Sequence, residues 1–206
     1  MAIPDIGDYD LSSLASSIPN KVDWRLTPAR SLLLVHDMQN FFLNPFPESL
    51  RKTLLANCSQ LLAWARKHAV PVVYTGQKGS MSAKERGLLY DFWGAGMDAN
   101  PLHTAITPLL SPQPGEQVLK KWRYSAFFSS ELANIFSDQQ RDQIIICGVY
   151  AQIGILTTAL DAYSRDIEVF LVRDAIADFS LAAHQRMLTY AASCCASILS
   201  VDEVIA

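Results

Sequence analysis

Four polar groups stand where short apolar runs end. Leu32-Leu33-Leu34-Val35 leads into His36-Asp37-Met38-Gln39, and a run through Tyr74-Thr75 leads into Gly76-Gln77. Gln117-Val118-Leu119 leads into Lys120-Lys121-Trp122-Arg123-Tyr124, and Ile144-Ile145-Ile146-Cys147 into Gly148-Val149-Tyr150-Ala151-Gln152-Ile153-Gly154. Asp37 can exchange a proton, and the Gln77 amide both donates and accepts. Lys121 brings a cation among aromatic residues, and Gly154 leaves a helix start open to close approach by an anion. Singly, each has a plainer reading: Asp37 as a helix cap, Gln77 as a loop amide, 120–124 as a solvated basic turn. Converging from consecutive strands, they predict an enzyme site for a small anionic molecule.

Other chemistries lack their residues. There is no G-x-S-x-G elbow, and Cys147 lies inside an apolar run rather than after one. His36, His68, His103 and His184 show no metal-ligand spacing, and His68 and His103 read as surface residues. Cys58, Cys147, Cys194 and Cys195 form no C-x-x-C pair and read as free core thiols. No metal and no cofactor is implied.

The apolar runs themselves are six: 31–35, 70–75, 117–119, 143–147, 168–172 and 196–201. They are rich in Val, Ile and Leu without alternation, as parallel strands covered on both faces should be. Between them lie helical spacings through Leu50–Trp64, Leu132–Phe136 and Ile155–Leu160. Pro112-Gln113-Pro114-Gly115 marks a turn, and Ser129-Ser130-Glu131 offers cap chemistry for the next helix. The expectation is α/β, a three-layer α/β/α fold around a sheet of about six mostly parallel strands. In such a sheet, ligands bind beyond the carboxyl ends of the strands, where these polar groups lie.

Composition sets the outer limits. The 206 residues suit a single domain, 1–206, with an irregular segment over 1–30 that wraps the surface before the first strand. Half the residues are apolar and 18% charged, enough for a full core and against disorder. Seventeen Lys and Arg against 20 Asp and Glu give −3 with no basic block, so nucleic acid is not expected as a partner. The stretch 144–162 carries Gln152, Thr157, Thr158 and Asp161 and reads as buried strand then helix, not as a membrane span. Met1-Ala2-Ile3-Pro4-Asp5 does not look like a leader, so a cytoplasmic protein is expected.

His36-Asp37-Met38-Gln39, Lys121-Trp122-Arg123-Tyr124-Ser125-Ala126-Phe127, Gly148-Val149-Tyr150-Ala151 and Asp174-Ala175-Ile176-Ala177-Asp178-Phe179-Ser180 resemble, in order, the motifs of isochorismatases. The resemblance covers nearly the whole chain and implies the Rossmann-like hydrolase fold of that family. Amidases of the wider superfamily use an Asp-Lys-Cys triad whose cysteine opens the helix after the fourth strand. Here that place is Gly154. The resemblance therefore implies acid-catalysed hydrolysis of a vinyl ether without a covalent cysteine intermediate. Pro47–Arg51, Gly79-Ser80-Met81, Phe127-Phe128 and Tyr190–Ser193 look most like the phenazine-pathway members, which hydrolyse 2-amino-2-deoxyisochorismate. Isochorismate is the alternative substrate. A non-catalytic binder of a chorismate-like metabolite is a further alternative.

On that resemblance Asp37 is the acid and Lys121 orients Asp37 or the substrate. Gln77 and Arg86 take the substrate's polar groups, Arg because it can grip a carboxylate with two parallel bonds. Phe41, Trp93, Tyr124 and Tyr150 wall the pocket, and their electron-rich faces suit a cation-like intermediate. Gly154 admits the substrate at the helix start. Lys121 should lower the pKa of Asp37, whereas burial and a dicarboxylate ligand should raise it. Arg123 and Lys78 would add to a local cationic cluster. Lys78 and Gln152 depart from the family pattern and could alter preference or rate. A homodimer without a fused carrier domain is expected.

Overall fold

A computed structural model describes residues 3–14 and 18–206; Met1-Ala2 of the proposed leaderless start and residues 15–17 of the irregular segment lie outside it. Each apolar run becomes a strand: β1 Ser31–His36, β2 Val72–Gly76, β3 Gln117–Lys120, β4 Gln143–Val149, β5 Glu168–Ala177 and β6 Ser197–Leu199. They form one sheet in the order β3-β2-β1-β4-β5-β6, and every pairing is parallel. The chain first winds outward from β1 to β3, then returns to lay β4 on the other side of β1. The carboxyl ends of β1 and β4 thus flank the point where the winding reverses, the place where an open α/β sheet leaves a crevice. Register pairs His36 with Gly148 there.

Leu32–Val35, Ile144–Cys147 and Val169–Val172 are completely buried. Helices cover them because their apolar positions fall on one face. Glu48–Lys67 buries Leu50, Leu54, Cys58, Leu61 and Leu62 and packs along β1, β2, β4 and β5. Leu156–Tyr163 and Leu181–Cys194 pack on each other and on β5. Burying a Leu or Ile side chain is worth roughly 1.5–3 kcal/mol. The core therefore supplies the rigid frame from which the strand-end loops project.

Several details differ from the sequence expectation. β3 is an edge strand with Gln117, Val118 and Lys120 exposed, so it is not covered on both faces. β5 runs five residues further, to Ala177, because Arg173 and Asp174 find partners: Arg173 pairs with Glu203, and Asp174 accepts from the Val201 N–H and the Asn57 amide. β6 stops at Leu199, where Ser200 and Glu203 form a capping box for the helix Val201–Ile205. The helix Leu132–Asp138 has no side-chain cap at Glu131; the Ser130 hydroxyl accepts instead from the Leu132 N–H, at 3.3 Å. Cys58, Cys147 and Cys195 are buried thiols, but Cys194 is exposed.

Among the described residues of the first thirty, only the single turns Leu11–Ser13 and Pro28–Arg30 are helical. Ile6, Leu11 and Leu14 are nonetheless buried against the core. Asn20 lies beside the last strand: its side-chain amide donates to the Ile198 carbonyl and accepts from the Ile198 N–H. No described helix is long and apolar enough to cross a membrane.

Candidate active site

A cavity of about 600 Å³ opens beyond the carboxyl ends of β1, β2, β3 and β4. Its size falls within the roughly 300–1,000 Å³ usual for small-molecule sites. Asp37, Phe41, Gln77, Arg86, Trp93, Lys121, Tyr124, Tyr150 and Gly154 all line it. Sequence reasoning singled out each of them, and the fold brings them to one place.

At the floor, Lys121 Nζ donates to Asp37 Oδ2 at 2.5 Å, and the Thr75 hydroxyl donates to Asp37 Oδ1 at 2.7 Å. Asp37 and Lys121 are 5% and 3% exposed, so bulk water does not screen the pair. Burial is the largest single influence on Asp37 and pushes its pKa up. Lys121, His36 and the hydrogen bonds from Lys121 and Thr75 together outweigh it and hold the carboxyl below its ordinary range. The unliganded pair is therefore carboxylate beside ammonium. Asp37 has φ 52°, a region Asp and Asn tolerate better than most residues.

Arg86 sits on the single helical turn Ala83–Arg86, whose N-terminus Ser82 and Glu85 close with a capping box. Its Nε donates to the Gly94 carbonyl at 2.9 Å, and the guanidinium lies so close to Gly96 that a Cβ there would fall 2.5 Å from Nη1. Gly96 has φ +73°, so the turn needs glycine twice over. Arg86 is 4% exposed and makes no ion pair with a carboxylate among the described residues. Burial and the nearby Arg123 both disfavour its charge. A buried guanidinium that lines a cavity without a carboxylate partner can pair with an anion there.

Aromatic walls enclose the space. Trp93 Nε1 donates to the Tyr124 hydroxyl at 2.8 Å, and the Tyr150 hydroxyl donates to the Phe42 carbonyl at 2.7 Å. Tyr150 and Phe179 meet at 4.5 Å between centroids with their planes tilted by 33°, and Phe41 meets Phe42 edge to face at 5.3 Å. Phe41 and Trp93 are half-buried on the cavity wall rather than sunk in the core.

The helix start around Gly154 differs from expectation. Ala151–Ile155 forms a π-helical turn, and its Gln152 N–H is already taken by Asp178 Oδ2 at 2.8 Å. Asp178 is completely buried, and burial pushes its pKa up to about 6 against two backbone hydrogen bonds. An internal carboxylate thus occupies the Gln152 N–H, one of the donors expected at that helix start.

Other expectations need correction too. Lys78 pairs with Glu85 at 2.9 Å, 47% exposed, and does not line the cavity. Arg123 is turned away, donating to the Glu85 and Trp122 carbonyls. Gln152 also lies outside the lining. His103, read as a surface residue, is half-buried, bonded to Asp98 and part of the wall.

Two supporting residues escaped sequence reasoning. Gln39 is 2% exposed; its Oε1 accepts from the Gln77 N–H, and its Nε2 donates to the Gln77 and Thr104 carbonyls. It braces the loop that presents Gln77, and its place two residues after Asp37 was the available signal. His36 is fully buried, with Nδ1 2.8 Å from the Val149 carbonyl. Burial and Lys121 push its pKa down to about 4, so the ring is neutral near pH 7. Among the described residues no group of three His, Cys, Asp or Glu is arranged to hold a metal.

The sequence matches the isochorismatase domain family over residues 31–203. The chain belongs to the isochorismatase family. Phenazine biosynthesis protein PhzD of Pseudomonas fluorescens is 49% identical over 203 residues, covering 98% of each chain. Isochorismatase of Bacillus subtilis (strain 168) is 43% identical over 207 residues, covering all of this chain and 66% of that protein. The crystal structure of a cysteine hydrolase from Pseudomonas syringae pv. phaseolicola 1448A superposes with a TM-score of 0.82 at 25% identity, covering 92% of this chain and 96% of the other. As an isochorismatase-family hydrolase, the chain carries the six-stranded α/β fold and the small-molecule cavity expected from its sequence.

Proposed function

We propose that the protein hydrolyses the enolpyruvyl ether of 2-amino-2-deoxyisochorismate, giving pyruvate and trans-2,3-dihydro-3-hydroxyanthranilate, as a step of phenazine or related secondary metabolism. The observation that carries the reading is the buried Asp37–Lys121 pair facing the uncompensated Arg86 across one aromatic-walled cavity, with no side-chain nucleophile at 154. The match to the protein named for phenazine biosynthesis supports the pathway.

The chemistry needs a proton on the terminal methylene carbon of the ether. In the free enzyme one transferable proton lies between Lys121 Nζ and Asp37 Oδ2. Arg86 and the Gln77 amide seat the substrate, whose carboxylates bring negative charge towards Asp37 and favour its protonated form. Asp37 then gives the proton to the methylene carbon as the C=C pair forms the new C–H bond. The resulting oxocarbenium ion, facing the Tyr124 and Tyr150 rings, takes up water at carbon. That water's surplus proton returns to Asp37, and the hemiketal collapses to pyruvate and the ring alcohol. No covalent bond to the protein forms.

The exposed Leu88 and Phe92 beside the cavity wall offer apolar surface for the expected homodimer, acting in the cytoplasm. The binder alternative drew on Lys78 and Gln152, and both side chains lie outside the cavity lining. Isochorismate is the second substrate reading, favoured by the 43% identity to the Bacillus isochorismatase. Pyruvate release, coupled to lactate dehydrogenase, is measured with each compound. The proposal expects the higher kcat/KM with the amino compound; preference for isochorismate selects the second reading, and binding of both without pyruvate release overturns the enzymatic one.

A further inference from the structure

The space above Gly154 is already filled. A Cβ built on that glycine would overlap His36 Cε1, and would fall 2.9 Å from His36 Nε2 and 3.0 Å from Lys121 Nζ. Any side chain at 154 would therefore arrive beside the Asp37–Lys121 pair, where a nucleophile would be most useful. The imidazole occupies that volume. His36 is held from two sides, by its place at the end of β1 and by Nδ1, which donates to the Val149 carbonyl. Its Nε2 is buried and has no hydrogen-bond partner among the described residues, an uncommon state for a buried ring nitrogen. The hydrogen bond to Val149 and complete burial hold the ring in that place.

We propose that His36 and Gly154 are a matched pair, in which the buried imidazole bars any side chain from position 154 and thereby holds the site to catalysis without a protein nucleophile. His36 acts as a positioning residue: a flat, uncharged ring that packs against the glycine and fills the floor next to Lys121 without placing a second cation there. Glycine at 154 is thus a consequence of the histidine at 36 as much as the removal of a reactive group. The inference rests on the acid-catalysed reading for its functional meaning, but the steric coupling it asserts is measurable without activity.

The test is a double-mutant cycle of Gly154→Ala and His36→Val, with Gly154→Cys on each background. Valine suits the strand position and vacates the ring's volume. Gly154→Ala alone is expected to lower kcat by at least 100-fold and to lower Tm. Adding His36→Val should recover at least tenfold of that loss and raise Tm above the Gly154→Ala value. Should Gly154→Ala fail to fold, recovery of folding in the double variant is the supporting result, and failure of both overturns the proposal. Full activity of Gly154→Ala, or a strictly additive cycle, also overturns it.

Thiol chemistry gives an independent readout. Iodoacetamide forms an S–C bond with a thiolate as iodide leaves, and peptide-resolved mass spectrometry separates position 154 from the exposed Cys194. Gly154→Cys with His36 present is expected to be alkylated at least tenfold more slowly than in the His36→Val background. Equal rates would overturn the steric claim. Loss of the acid-catalysed reading, seen as unchanged turnover in Asp37→Asn, would leave this coupling intact, so the two failures are distinguishable.

Discussion

Lys121 reaches across a whole strand to meet Asp37. β3 and β1 are not neighbours, yet Nζ lies 2.5 Å from Oδ2, with Thr75 of the intervening β2 donating to the other carboxylate oxygen. The ends of three successive strands thus bring ammonium, hydroxyl and carboxylate into one buried chain of hydrogen bonds. Asp37 and Lys121 are the first residues beyond β1 and β3, so the parallel register of the three strands sets where the pair meets.

Asp37→Asn should reduce pyruvate release by about 10³-fold, within the range for loss of a general acid, with the far-ultraviolet spectrum unchanged. Asparagine tolerates the φ of 52° and still accepts from Lys121. Asp37→Ala should be equally inactive but less stable, by on the order of 3 kcal/mol, because it leaves Lys121 buried without a partner. Turnover and thermal melts of both variants check this.

Lys121→Met removes a cation that holds the Asp37 pKa down. Removing positive charge from beside an acid raises its pKa, so Asp37 should keep its proton to higher pH. The pH profile of kcat/KM for the variant should therefore shift upward on the limb that reports Asp37, while its maximum falls through poorer orientation. A lowered maximum without any shift would count against Asp37 as the acid.

Arg86→Met should raise stability and lower affinity together. The uncompensated buried guanidinium costs folding energy that a methionine would not, so Tm should rise by about 3 °C. Loss of a charge-assisted pair to the substrate carboxylate should raise KM by about 10- to 100-fold, with a smaller change in kcat. Differential scanning calorimetry with and without product should also show the ligand-induced rise in Tm largely abolished.

Acid should destabilise the fold before the carboxylates titrate normally. His36 is pushed down to about 4 and His184 to about 3, both chiefly by burial, against an ordinary 6.5. Below pH 6.5 the unfolded chain binds protons that the folded chain refuses, so this stability is present above 6.5 and falls as pH drops towards 4. Asp178, raised to about 6, works the other way from about pH 6 down through the rest of that window. His184→Gln should flatten the loss of Tm between pH 6.5 and 4 relative to the unmodified protein.

Strands β1 and β4 were legible because burial on both faces demands unbroken Leu, Ile and Val, and the residues that follow them had to reach the crevice. The end of β5 was not, since Arg173 and Asp174 are satisfied by Glu203, Val201 and Asn57, partners remote in sequence. The short turns Ala83–Arg86, Leu89–Trp93 and Pro101–Thr104 span too few residues to show helical periodicity, so Arg86 and Trp93 were placed only by resemblance. His36 went unread for a different reason. A polar residue closing an apolar strand gives no local hint that its ring will pack against a glycine over a hundred residues away.

Asn20 gives the sheet a closed side. Its amide presents one donor and one acceptor to Ile198, the pair of contacts that another strand's backbone would make. At that residue β6 has no free valence for a further strand, so a second molecule cannot add to the sheet there in register. At this border copies can meet only through side chains, and the native chain is protected there from the edge-to-edge growth that starts fibrils.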